Sequence, residues 1–146
     1  LRDYGIFSLG SEGRYDEIAA SAADLLDAPV AIINFIDRDR QWFKARHGIT
    51  VVEPPIQQSI CVHCLEEGGS LVIEDLASDH RTKDLSLVVE DPAARFYAGV
   101  PIVLDRQGVG VLGVLGVKPR PEGISAFQSQ ELEAHAREIA EYIGNH

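Results

Sequence analysis

Apolar and polar positions are most informative between residues 95 and 117. The run Arg95-Phe96-Tyr97-Ala98-Gly99-Val100-Pro101-Ile102-Val103-Leu104 is rich in aromatic and β-branched side chains, and a second apolar run, residues 109–117, follows the polar break Asp105-Arg106-Gln107-Gly108. Two such runs around a polar break predict a β-hairpin. In the second arm Val109, Val111, Gly113, Leu115 and Val117 alternate with Gly110, Leu112, Val114 and Gly116, so both faces are apolar and both lack some side chains. This predicts a central strand with something packed close against its glycines. In the first arm Arg95, Tyr97 and Gly99 share a face and set a guanidinium and a phenol beside a gap, which suits either a small polar ligand or the cap of a core.

Upstream, residues 1–13 carry little periodic signal and read as a lead-in to a single domain spanning 14–146. Ile18, Ala22, Leu25 and Leu26 recur at helical spacing, with Asp16 and Glu17 in the first turn where they suit the helix dipole. An amphipathic helix over 14–26 is expected, stopped at Asp27-Ala28-Pro29. Val30-Ala31-Ile32-Ile33-Asn34-Phe35-Ile36 predicts a buried strand, and Asp37-Arg38-Asp39-Arg40 a charged turn. Gln41-Trp42-Phe43-Lys44-Ala45-Arg46 then reads as an edge or near-edge strand, with Trp42 packed under the terminal helices. Glu53-Pro54-Pro55 marks a loop, and Ser59 is expected to cap a short helix running to Glu67 and ending at Gly68-Gly69.

Leu71-Val72-Ile73-Glu74-Asp75 predicts a short third strand, and 78–94 a crossover whose helical turns lie over the sheet. After the hairpin, Pro119-Arg120-Pro121-Glu122-Gly123 breaks the chain. Ser125 caps a last helix in which Leu132, Ala136, Ile139 and Ile143 form a narrow stripe. The sum is an α+β domain: a mainly antiparallel sheet of about five to six strands, terminal helices on one side and crossover segments on the other.

Composition narrows the function. A chain of 146 residues suits one domain, which at that size buries about 70% of its unfolded surface. The net charge of -10, with 13 dispersed Lys and Arg, argues against nucleic acid, and an acidic surface discourages anionic membranes. No apolar run approaches the roughly 20 residues of a membrane span. With no signal-like N-terminus and no secretory context, the two cysteines are expected to be reduced thiols, and the cytoplasm follows as the location. Absence of Met throughout suggests a piece of a longer chain.

Cys61, His63 and Cys64 are chemically fit for zinc, but on a helix 61 and 64 share a face while 63 points elsewhere, so no metal site is expected. Arg95, flanked by apolar residues, needs a partner. Asp75, Glu90 and Asp91 are acids within reach for an internal salt bridge; the alternative is a fork that grips a carboxylate or phosphate. The stripe at 132, 136, 139 and 143 either covers the sheet or forms the seam of a helix-paired homodimer, and the two are compatible.

The order of elements, with Arg40-Gln41-Trp42-Phe43-Lys44-Ala45, Ser59-Ile60-Cys61-Val62-His63, Arg95-Phe96-Tyr97-Ala98-Gly99-Val100-Pro101 and Gly110-Val111-Leu112-Gly113-Val114, resembles a GAF domain. More narrowly, it resembles those N-terminal to histidine kinase or diguanylate cyclase modules in bacterial sensors. Where that subgroup continues Gly-Thr-Leu-Cys-Val-Ile-Asp, this chain has Gly110-Val111-Leu112-Gly113-Val114-Leu115-Gly116. The resemblance implies first and last strands side by side in mid-sheet, the third at an edge, and a small-molecule site under segments 56–69 and 78–94. Cys61, Asp75, Arg95 and Tyr97 are then the candidate ligand-binding residues, and Leu132, Ala136, Ile139 and Ile143 the candidate dimer interface. It implies a sensory role without catalytic residues, a downstream kinase or cyclase partner and no assigned cofactor. The alternatives are an unliganded structural or dimerisation module and a cysteine-dependent free methionine sulfoxide reductase using Cys61 and Cys64.

Overall fold

The computed structural model describes residues 12–37, 40–48, 60–90 and 93–144. Helix α1 (Glu12–Leu25) lays Tyr15, Ile18, Ala19, Ala22 and Ala23 into the core. It stops because Asp27 adopts a left-handed φ of 51°. Ala28 N–H then reaches back to the Ala23 carbonyl at 2.9 Å, a C-terminal closure after which Pro29 cannot continue the helix.

Strands β1 (Val30–Asp37) and β2 (Arg40–His47) pair antiparallel. Ile33 faces Ala45 while Asn34 faces Phe43, so Lys44 is an extra residue and β2 bulges there. The bulge carries the Lys44 ammonium to 5.4 Å from the centre of the Tyr15 ring. The Trp42 side chain, the 53–55 loop and the Ser59 cap lie outside what is described.

Helix α2 (Ile60–Glu67) ends at Gly68, whose φ is 76°, as the paired glycines predicted. Strand β3 is Leu71–Ile73, shorter than the expected 71–75. The Asp75 carboxylate accepts the Ala77 N–H at 3.1 Å and the Ser78 hydroxyl at 3.0 Å, and that local bonding turns the chain out of the sheet. The short helix α3 (Ser86–Val89) sits inside the crossover, and Leu85 and Val88 cover the sheet.

The hairpin is β4 (Phe96–Leu104) and β5 (Gln107–Gly116). Its break is tighter than expected: Asp105 and Arg106 alone make the turn, both left-handed at φ 49° and 69°, the geometry whose twist suits adjacent strands. Ser125 and Gln128 cap each other's backbone at 3.1 and 2.9 Å, and α4 (Ala126–Gly144) follows.

All pairs are antiparallel and the order is β2-β1-β5-β4-β3, so β5 is central, β1 lies beside it, and β2 and β3 are the edges. The two-residue period sorts side chains between two cores. Ala31, Ile33, Phe35, Phe96, Ala98, Leu112 and Val114 meet α1 and α4. Val30, Ile32, Tyr97, Val111 and Leu115 meet α2 and the crossover. Burial on both faces is why β5 reads as a continuous apolar run.

Candidate functional site

Gly99 of β4 and Gly113 of β5 are direct register partners, so two side chains are missing side by side on the crossover face of the sheet. The Tyr97 ring occupies the trough they leave. A Cβ at Gly99 would stand 2.1 Å from the Tyr97 hydroxyl oxygen, and one at Gly113 would stand 3.2 Å from the ring carbon Cε1. The ring therefore lies down along the sheet, and Tyr97 is only 1% exposed.

Helix α2 closes the trough from above. Cys61 and Cys64, at helical spacing i and i+3, both turn inward and are buried. The Tyr97 hydroxyl donates to the Cys61 sulfur at 3.5 Å, and the Cys64 thiol points to the Gly69 carbonyl at 3.6 Å. Asn34, buried on the same face of β1, hydrogen-bonds the Cys61 thiol through its side chain. The cluster is thus one phenol, two thiols and one amide beneath a short helix.

Burial is the dominant influence on each titratable member. It pushes the Cys61 thiol up against the opposing hydrogen bonds from Tyr97 and Asn34. It pushes Cys64 up to about 12, helped by the neighbouring Cys61. Tyr97 is held well above its ordinary 10.0 by the same burial and by the two thiols. At neutral pH the group is uncharged, offering weak donors and acceptors and no thiolate nucleophile.

Of the candidate ligand-binding residues, Cys61 and Tyr97 are brought together here, and Asp75 and Arg95 are placed elsewhere. The Asp75 carboxylate serves its own turn, beside an open groove of about 320 Å³ at the end of β3. Arg95 is paired internally, and neither Asp75 nor Glu90 is its partner, while Asp91 lies outside the described residues: one guanidinium nitrogen donates to the Val88 and Ala94 carbonyls, both at 2.9 Å. One of the two acceptors, the Val88 carbonyl, belongs to the last turn of α3, where carbonyls need donors from outside the helix, so the guanidinium caps that end. Leu132, Ala136, Ile139 and Ile143 are at most 3% exposed and pack on the sheet. The stripe packs on the sheet within this chain.

His63 lies 3.5 Å from Glu66 on the same helix, and among the described residues no three His, Cys, Asp or Glu gather as a metal set. Two features escaped the sequence reading. Asn34 was visible only as one amide inside an apolar run. The ion pair of Arg81 with Asp79 at 2.8 Å, extended to Glu67 of α2 at 3.3 Å, ties the crossover to the lid helix and holds the Asp79 carboxyl at about 2.

Residues 12–146 match the GAF domain family, and the chain belongs to it. It is 32% identical over 117 residues to the cyclic di-GMP phosphodiesterase PA2567 of Pseudomonas aeruginosa, covering 80% of this chain and 20% of that relative. In three dimensions it is similar to a type II free methionine-R-sulfoxide reductase from Thermoplasma acidophilum, with a TM-score of 0.75, 12% identity and 92% of each chain covered. It is also similar to the GAF domain of an Acinetobacter phosphoenolpyruvate-protein phosphotransferase, with a TM-score of 0.72, 18% identity, and 89% of this chain and 79% of that one covered. At such identities the structural likeness is one of fold. No helix among the described residues is long and apolar enough to cross a membrane.

Proposed function

We propose that this chain is a non-catalytic regulatory domain of a cytoplasmic multidomain signalling protein. Its responsive site is the crossover face of the sheet, where a small molecule binds. The observation that carries this reading is the buried cluster of Tyr97, Cys61, Cys64 and Asn34 on that face. Polar groups of this kind set among apolar side chains can orient a ligand, while thiols kept protonated by burial lack the nucleophile that sulfoxide reduction needs. The phosphodiesterase relative supports a cyclic di-GMP enzyme as the neighbouring module, because this chain spans 20% of that relative's length.

The test is a melting-temperature screen of cyclic nucleotides, amino acids, haem and bilins, run beside a thioredoxin-coupled assay on free methionine sulfoxide. A stabilising ligand and no turnover are expected. No shift from any compound at millimolar concentration, or turnover that disappears in Cys61→Ser, contradicts the reading.

A further inference from the structure

We propose that the groove between the end of α1 and the end of β5 is a second small-molecule site, separate from the crossover face, and that it takes an acidic α-amino acid, a molecule with two carboxylates and one ammonium.

The groove has a volume of about 420 Å³, with Asp27 and Pro29 on one side and Val117, Lys118 and Arg120 on the other. That is within the size range of small-molecule sites. Its charges carry the inference. Two cations and one carboxylate line it, and among the described residues none of the three has an ion-pair partner, although the chain as a whole has a net charge of -10. Opposite charges that share a groove without meeting are bridged best by a ligand carrying the complementary set. An acidic amino acid carries it, two negative groups for Lys118 and Arg120 and one positive group for Asp27.

Arg120 is fixed before any ligand arrives. Its backbone N–H donates to the Glu74 carbonyl at 2.9 Å, and its guanidinium donates to the Leu26 carbonyl and lies 5.0 Å from the centre of the Phe96 ring. A guanidinium has five N–H donors, so holding it in place leaves donors for a carboxylate and lowers the ordering cost of binding. On the opposite side, the last turn of α1 has no base of its own. The negative end of the helix dipole therefore adds to the Asp27 carboxylate in attracting an ammonium. Val117, 48% exposed, and Pro29 offer apolar surface to the methylenes between the charged groups.

The experiment is an amide NMR titration of the wild-type chain with L-glutamate at neutral pH and low salt, beside glutarate, the same diacid without the ammonium. The amides of Ala28, Val117 and Lys118 are expected to shift together with a Kd of about 1 mM, more tightly for glutamate than for glutarate, and to lose affinity as salt is raised. Asp27→Asn is expected to weaken glutamate about threefold and to strengthen glutarate, because it removes an attraction from one and a repulsion from the other. Lys118→Gln is expected to weaken both. Asn accepts the left-handed φ of 51° at position 27 as readily as Asp does, and Lys118 is exposed, so both variants keep the fold.

No shift at these amides in roughly 20 mM glutamate overturns the proposal. So does equal binding of glutamate and glutarate that Asp27→Asn leaves unchanged. Shifts confined to the neighbours of Cys61 and Tyr97 would sink this inference and leave the sensory reading of the crossover face standing.

Discussion

Gly99 and Gly113 stand directly opposite each other on β4 and β5, and the Tyr97 ring covers both. The pair explains why the two central strands carry gaps in otherwise apolar runs. A side chain at either position would compete with the ring for the same space. The glycines are thus part of the site and not merely of the turn chemistry.

Glycines of this sheet differ sharply in what they tolerate. At Gly110 a Cβ would meet the Asn34 carbonyl oxygen at 2.4 Å and the Phe35 ring at 2.8 Å, whereas at Gly69 it would meet nothing within 4 Å. Backbone cannot step aside as a flexible side-chain tip does, so Gly110→Ala is expected to lose about 1–3 kcal/mol in urea unfolding. Gly69→Ala is expected to fall within about 0.5 kcal/mol of wild type. Equal effects would contradict the pairing of β1 with β5 described here.

The thiols are expected to be inert while the fold holds. Burial raises Cys61 above 9.0 and Cys64 to about 12, so at pH 8 both should react with an aromatic disulfide reagent only as fast as the domain opens. Because the folded values are raised, the stability they contribute is present below pH 9.0 and lost as pH rises toward about 12. Replacing Cys64 by Ala should flatten that alkaline loss. Rapid labelling of the native protein would show the lid helix in another position.

Asp79 gives the opposite limb. Arg81 holds its carboxyl at about 2, down from 3.8, so the associated stability is present above pH 3.8 and lost as pH falls through about 2. Asp79→Asn should remove that part of the acid dependence without moving the alkaline limb. Urea midpoints measured across both ranges check this, and an unchanged acid limb would count against the ion pair.

Helix α4 starts at a reciprocal cap, with Gln128 N–H on the Ser125 hydroxyl and Ser125 N–H on the Gln128 amide oxygen. Ser125→Ala is expected to cost about 1 kcal/mol, lowering the melting temperature by roughly 3–5 °C. A neutral substitution would mean that the helix begins elsewhere.

Most of the architecture was legible in the sequence because period and punctuation agreed. The apolar spacing of α1, the run of β1, the gaps of β5 and the Ser125 cap each pointed to the element that formed. The glycines forecast a close neighbour without naming it, since only the pairing of Gly99 with Gly113 shows that Tyr97 is the neighbour. Arg95 misled because acids nearby in sequence were the obvious partners, whereas helix-end carbonyls are invisible until α3 is placed. The extra residue at Lys44 and the early end of β3 were hidden for a related reason: one depends on strand register and the other on a carboxylate folding back on its own turn. Asn34 became part of the site only when β1 brought it beneath α2.

The central claim is that the crossover face is an uncharged site closed by its own Tyr97. The most direct measurement is an absorbance titration of phenol ionisation in the wild type and in Tyr97→Phe. The two curves are expected to coincide until alkali unfolds the domain, because Tyr97 ionises well above 10.0. One extra phenol titrating near pH 10.0 in the folded wild type, and absent from Tyr97→Phe, would contradict the account.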